Sequence, residues 1–357
     1  MSVFFKRYSP EPNGEIAVNM KRIATEEAFV TEDIAAEWAK MLSGKVEPGF
    51  RLMGDSILGS SPGAKAVHKR LLDLGEGRVA HMGATGIDIQ VLSLTSPGVQ
   101  VFDAATGAAL ARRSNDVLVD AIAKHPTRFA GLAAIAPQDP STAVAELTRV
   151  AKLPGIKGFI INSHTHGEYL DLPKYWPILE AAEALGLPLY LHPREPSPAM
   201  LAPFADYGLF FAGWGFAAET GLHAMRIIMC GVLDRFPKLR IILGHMGEGI
   251  PFWLQRIDNR YQLQVRLGAV RKMPRLPSEY FLENFVITTS GVCSAPALKL
   301  SIEVLGAERI LFAADYPYES VEEAVAFMDG VDVSENIRSQ IYCENASRVF
   351  RLDMAAG

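Results

Sequence analysis

The stretch Leu239-Arg240-Ile241-Ile242-Leu243-Gly244-His245 is a short apolar run closed by an ionisable side chain. Three more runs close in the same way: Arg22-Ile23-Ala24-Thr25 on Glu26, Leu187-Pro188-Leu189-Tyr190-Leu191 on His192, and Ile310-Leu311-Phe312-Ala313-Ala314 on Asp315. Strand ends so far apart in sequence meet in space when the strands lie side by side and parallel. An α/β barrel whose site sits on its C-terminal rim has that arrangement.

Working outward, β-branched and aliphatic runs predict eight strands, at 22–26, 87–95, 129–136, 156–162, 187–192, 239–245, 284–290 and 309–315. Helical spacing is predicted at 107–125, 173–185, 218–234, 296–305 and 319–329, with a further helix start at Asp139-Pro140-Ser141. Such alternation implies parallel pairing. The expected fold is therefore an α/β, distorted (β/α)8 TIM barrel with long βα-loop insertions. Those insertions are Phe29 to about Thr85 and Pro193 to about Phe216, read as long loops leaving the ligand-bearing face. Residues 1–20 are expected to form an N-terminal arm and 21–357 a single barrel domain.

Composition narrows the function. The chain has 357 residues, 49% of them hydrophobic, enough for one large core, and a formal charge of −5 with no basic run. That balance excludes the phosphate attraction on which nucleic-acid binding depends and points to a small-molecule partner. No stretch reaches a membrane span and the first twenty residues lack the apolar core of a leader, so a cytoplasmic location is expected. Cys230, Cys293 and Cys343 are too few and too widely spaced for a disulfide framework, and are read as buried free thiols.

Any one acid or imidazole near a strand end is ordinarily a hydrogen-bonded polar residue. Four at the same end of separate strands are expensive to bury together unless a cation compensates them. His164-Thr165-His166 has a ligand-like spacing, but Ser163, Gly167 and Glu168 around it are turn residues, so it is set aside. His68, His81, His125 and His223 are read as structural, with His223 within possible reach of the site. In Gly244-His245-Met246-Gly247-Glu248, the glycines allow a tight turn that brings Glu248 back to His245, a couple suited to acid/base work. Alternatively, Glu248 merely favours a helix start. Arg256, two helical turns on, meets a substrate anion or a surface carboxylate.

Read together, these segments resemble a known family, the metal-dependent decarboxylase branch of the amidohydrolase superfamily. The resemblance runs from about Lys21 to Leu352. It rests on Ala24-Thr25-Glu26-Glu27-Ala28-Phe29, Gly86-Ile87-Asp88, Leu92 to Gln100, Ala136-Pro137-Gln138-Asp139-Pro140, His192-Pro193, Gly244 to Glu248 and Asp315-Tyr316-Pro317-Tyr318-Glu319. Members decarboxylate γ-resorcylate, 2,3-dihydroxybenzoate or 5-carboxyvanillate. The His-x-His of hydrolytic amidohydrolases is Glu26-Glu27-Ala28 here, which implies one divalent metal rather than two. The resemblance assigns Glu26, His192 and Asp315 as ligands, with His245 beside the metal or the substrate carboxylate. An oxygen-rich set favours Mn2+, with Zn2+ second. It further implies Asp315 as proton donor, Phe29, Arg256 and Tyr318 as ring-holding residues, no organic cofactor, and a homodimer or homotetramer.

In the 5-carboxyvanillate enzymes the first insertion resembles Ser-Pro-x-x-Arg, whereas this chain reads Ser61-Pro62-Gly63-Ala64-Lys65. Lys65 is the expected contact for a second carboxylate, but it lacks the fork of arginine. A mono-carboxylated hydroxybenzoate therefore stays open beside 5-carboxyvanillate. The alternative activity is metal-dependent hydrolysis of a lactone or cyclic amide.

Overall fold

The computed structural model describes residues 20–352, and the expected N-terminal arm lies, but for its last residue, outside them. All eight expected strands form: β1 Ile23–Phe29, β2 Ile89–Leu94, β3 Phe129–Ala134, β4 Ile156–Asn162, β5 Leu189–His192, β6 Ile241–Leu243, β7 Phe285–Thr288 and β8 Ile310–Leu311. They pair in parallel in sequence order, each with the next, and β8 returns to β1 through single contacts such as Thr25 N to Phe312 O at 3.1 Å. The result is a nearly closed barrel, as expected.

The strands read as continuous apolar runs because both faces are covered. Inside, Ile23, Val91, Leu132, Ile160, Tyr190, Ile242, Val286 and Leu311 form one packed cluster, joined by Ala346 and Phe350. Outside, a larger cluster fills the space between sheet and helices, including Leu92, Phe159, Leu191, Ile287, Leu118, Leu179 and Leu298. Helices Ala104–Lys124, Pro140–Val150, Trp176–Leu185, Gly215–Cys230, Ala295–Leu305 and Val321–Gly330 occupy the expected places. Gly186 ends one of them in the left-handed conformation at φ 66°, where a Cβ would be strained.

Two expectations need correction. The segment between β1 and β2 is not a long loop but four helices, Glu32–Leu42, Pro48–Leu58, Pro62–Leu72 and Glu76–Thr85. Prolines open the second and third, where a missing N–H is harmless, and Ser61 caps the third by accepting from Ala64 N at 3.1 Å. The segment after β5 is mostly irregular, with short turns at Ala202–Ala205 and Asp206–Gly208. The cysteines are free as read, but none is buried: Cys293 is exposed in a loop, and Cys230 and Cys343 are half-buried against the edge of the core. No helix among the described residues is long and apolar enough to cross a membrane.

The two decoy histidines are turn residues with their ring nitrogens engaged. His164 Nδ1 accepts from Gly167 N at 3.2 Å and its Nε2 faces Glu195 O at 3.2 Å, while His166, at φ 50°, faces Phe102 O at 3.0 Å. His223 is fully buried, its Nε2 accepting from Leu170 N at 2.9 Å. Burial, helped by the Arg226 cation, pushes its imidazole down to about 3. An unfolded imidazole near 6.5 takes up its proton first, so stability is lost as pH falls from about 6.5 toward about 3. Between about pH 7 and about pH 5 the wild type should lose roughly 2 kcal/mol more than His223→Gln. Urea midpoints measure this, and parallel losses in the two proteins would exclude it.

Candidate active site

The position of Glu26 depends on an irregularity in β1. Residues three apart on a regular strand face opposite sides, yet Ile23 belongs to the interior layer and Glu26 is bonded to the interior Tyr190 and Thr288. The β1–β2 register slips between Ala24 and Glu27, and that extra residue turns Glu26 inward. Gly244 makes room for it: a Cβ there would lie 3.1 and 3.2 Å from the two carboxylate oxygens of Glu26.

The two oxygens of Glu26 have different surroundings. Oε2 accepts from the Tyr190 hydroxyl and from Thr288 Oγ1 at 3.0 Å. Oε1 is buried without a hydrogen-bond partner, 3.2 Å from His192 Nε2 and 3.6 Å from His245 Nε2. His192 Nδ1 lies 2.8 Å from Pro193 O, so its N–H points to that carbonyl and its Nε2 lone pair faces Glu26. Two lone pairs so close repel unless a proton or a cation lies between them. One donor atom each from Glu26, His192 and Asp315 fall within 4.8 Å of one another. Two carboxylates and an imidazole make a hard, oxygen-rich set that fits a divalent cation.

His245 and Asp315 both stand on left-handed backbone. His245, Met246, Gly247 and Glu248 have φ of 51°, 54°, 72° and 51° in succession, and Asp315 has φ 61°. This turn, anchored by His245 N donating to Ser290 Oγ at 3.0 Å, brings Glu248 Oε1 to 2.9 Å from His245 Nδ1. Glu248 thus contacts the ring directly, and it also stands two residues before the helix Ile250–Arg266. His245 Nε2 lies 3.8 Å from Asp315 Oδ2.

The electrostatics follow from burial and proximity. Burial alone would raise the Glu26 carboxyl, but the imidazoles of His245 and His192, with Ser290, hold it well below the usual carboxylate range. Burial raises Asp315, and the Glu26 charge adds to this against the opposing pull of His245. His245 is held above its ordinary value because Glu26, Glu248 and Asp315 together outweigh its desolvation. An anion, a neutral-leaning acid and a cation-leaning base thus share one rim.

A cavity of about 880 Å3 opens over this rim, lined by His245, Glu248 and Asp315, by the aromatic Trp214, Phe252 and Trp253, and by Arg256 and Arg260. Arg256 is thus where an anion-binding residue was expected. Three other expectations differ. Phe29 is 1% exposed in the outer core, because the slip that turns Glu26 inward sends Phe29 to the helix side. Lys65 is exposed on helix Pro62–Leu72 and lines a separate depression with Ile57, Ser60 and His68. Tyr318 is tied by its hydroxyl to Thr95 Oγ1 at 2.6 Å and is not among the residues lining the cavity.

Sequence reading also passed over Tyr190, Thr288, Ser290, Arg260 and Glu319. Tyr190 was legible, since it sits two residues before His192 on the same face of β5. Arg260 was legible too, one helical turn beyond Arg256, whereas Glu319 reaches the cavity only through the turn after Asp315.

Comparison with known proteins agrees with this geometry. The amidohydrolase family matches residues 63–352. The γ-resorcylate decarboxylase of a Polaromonas species is 36% identical over 93% of this chain and 99% of its own length. The crystal structure of 5-carboxyvanillate decarboxylase from Sphingomonas paucimobilis superposes with a TM-score of 0.91 at 44% identity, covering 93% of this chain and 99% of that one. The 5-carboxyvanillate decarboxylase of Novosphingobium aromaticivorans, crystallised with manganese and 4-hydroxy-3-methoxy-5-nitrobenzoic acid, gives 0.91 at 41% identity, covering 93% and 96%. With a family match over most of its length and decarboxylase relatives aligned along nearly all of it, the chain belongs to the amidohydrolase superfamily, in its decarboxylase branch.

Proposed function

We propose that this chain removes CO2 non-oxidatively from an ortho-hydroxybenzoate, leaving a phenol, with one divalent cation held by Glu26, His192 and Asp315. Manganese is the favoured ion and zinc the second choice, and no organic cofactor takes part. The observation that carries the reading is the buried Glu26 Oε1, which lacks a hydrogen-bond partner and lies 3.2 Å from His192 Nε2. Its setting, in a chain similar to decarboxylases and under a cavity with aromatic walls and two arginines, supports an aromatic acid as substrate. We place the protein in the cytoplasm as a homodimer or homotetramer.

Neutralising the substrate's carboxylate and phenolate oxygens is the chemistry that a cation supplies at such a site. The chain's own residues do the rest. Tyr190 and Thr288 fix Glu26, and Trp214, Phe252 and Trp253 enclose the ring. Asp315, loaded with the proton that the substrate's phenol gives up, passes it to the ring carbon that bears the carboxylate. Electron density from the phenolate supports this step, and a C–H bond forms as aromaticity is interrupted. The bond to the carboxylate then breaks, its electron pair returns to the ring, and CO2 leaves. His245, oriented by Glu248, stands 3.8 Å from Asp315 and returns a proton from solvent.

Manganese-loaded protein should convert at least one member of a hydroxybenzoate panel, including γ-resorcylate and 5-carboxyvanillate, to the phenol. Silence toward all of them in a folded, metal-loaded sample would end the proposal. Run in 18O water, the reaction should evolve CO2 and place no solvent oxygen in a product carboxylate, whereas the reverse pattern would make the protein a lactone or cyclic-amide hydrolase. Asp315→Asn should lower kcat by roughly 100- to 10,000-fold. Gly244→Ala, whose methyl would press on Glu26, should weaken manganese binding roughly 10- to 100-fold with the fold retained, as read by chelator competition and circular dichroism.

A further inference from the structure

The seam between β8 and β1 is closed without a regular ladder among the described residues. β8 ends at Leu311, and Phe312 to Tyr316 run on beside β1 as irregular chain. Thr25 holds Phe312 O through its N at 3.1 Å and its Oγ1 at 2.8 Å, and Ala28 N donates to Tyr316 O at 2.7 Å. Between these contacts the backbone of β1 is replaced by a side chain. Glu27 Oε1 accepts from Ala314 N at 3.0 Å, and Glu27 Oε2 accepts from Tyr316 N at 3.3 Å. These two amides flank Asp315, whose φ of 61° is unfavourable for a residue with a Cβ.

Glu27 is fully buried and is itself supported from behind. Gln90 Nε2 donates to its Oε2 at 3.4 Å, and Gln90 Oε1 accepts from Arg78 Nη1 at 3.4 Å. Arg78, also fully buried, spends its other N–H groups on the carbonyls of Asp73, Ala28 and Arg70. A buried acid is thus linked through one amide to a buried guanidinium.

We propose that Glu27 is a positioning residue for the reaction. Its carboxyl group takes the place of two strand carbonyls, fixes the left-handed turn at Asp315, and so aims the Asp315 carboxyl at the ring carbon without touching the substrate. The inference rests on the decarboxylase reading given above.

Glu27→Gln keeps the shape but turns an NH2 group toward one of the two amides, so one hydrogen bond is lost. The expected result is a kcat roughly 100-fold lower with KM within about threefold of wild type, per folded and metal-loaded site. In the metal-free variant, hydrogen exchange of the segment 312–317 should rise roughly tenfold while that of β4 to β6 is unchanged. Unchanged kcat with only a lowered melting temperature would make Glu27 a plain structural residue and overturn the proposal. Should the variant fail to fold, wild-type exchange decides: the Ala314 and Tyr316 amides must be as protected as those of β7, and loop-like exchange overturns it. Wild-type silence toward hydroxybenzoates would instead strike the decarboxylase reading, leaving the exchange result to stand by itself.

Discussion

One carboxylate governs the arrangement of the site. Glu26 lies inside the barrel, its Oε2 satisfied by Tyr190 and Thr288, its Oε1 directed at two imidazoles without a hydrogen bond of its own. A buried anion left in that condition is costly, so everything that meets it must compensate. His192 turns its lone pair inward, His245 is drawn toward its protonated form, and Asp315 is pushed toward its neutral form. The different tendencies of these groups are consequences of where Glu26 sits.

The same constraint explains the uneven legibility of the sequence. The eight strands were readable because a barrel buries both faces and leaves each strand as an unbroken apolar run. Glu26, His192, His245 and Asp315 were readable because they follow those runs directly. Phe29 and Lys65 were misjudged for reasons that are physical rather than accidental. A register slip between Ala24 and Glu27 reverses which side later residues face, and nothing in Ile23-Ala24-Thr25-Glu26 announces it. Lys65 stands on a helix that Ser61-Pro62 opens, and it lines a depression separate from the cavity. Glu27 escaped notice because its work is done on Ala314 and Tyr316, almost three hundred residues away in sequence.

Among the described residues, four of the eight non-glycine residues with left-handed φ stand at the site. A non-glycine residue in the left-handed region is held there at a cost of roughly 1–2 kcal/mol. His245, Met246, Glu248 and Asp315 all occupy it, and the first and last are held by neighbouring side chains. Ser290 ties down the first, Ile287 and Pro251 leave no room for a Cβ at Gly247, and Glu27 brackets the last. The site is thus aimed by backbone conformation, with rotamer choice left a minor part.

The filled interior settles the traffic of the molecule. Ile23, Val91, Leu132, Ile160, Ile242, Val286 and Leu311 pack side by side, and Phe350 joins them at the end opposite the ionisable rim. Among the described residues, that packed layer fills the barrel axis. An arriving acid, a departing gas molecule and the residual ring must therefore share one doorway, bordered by Trp214, Phe252 and Trp253. Whatever narrows that doorway governs the order in which the two leave.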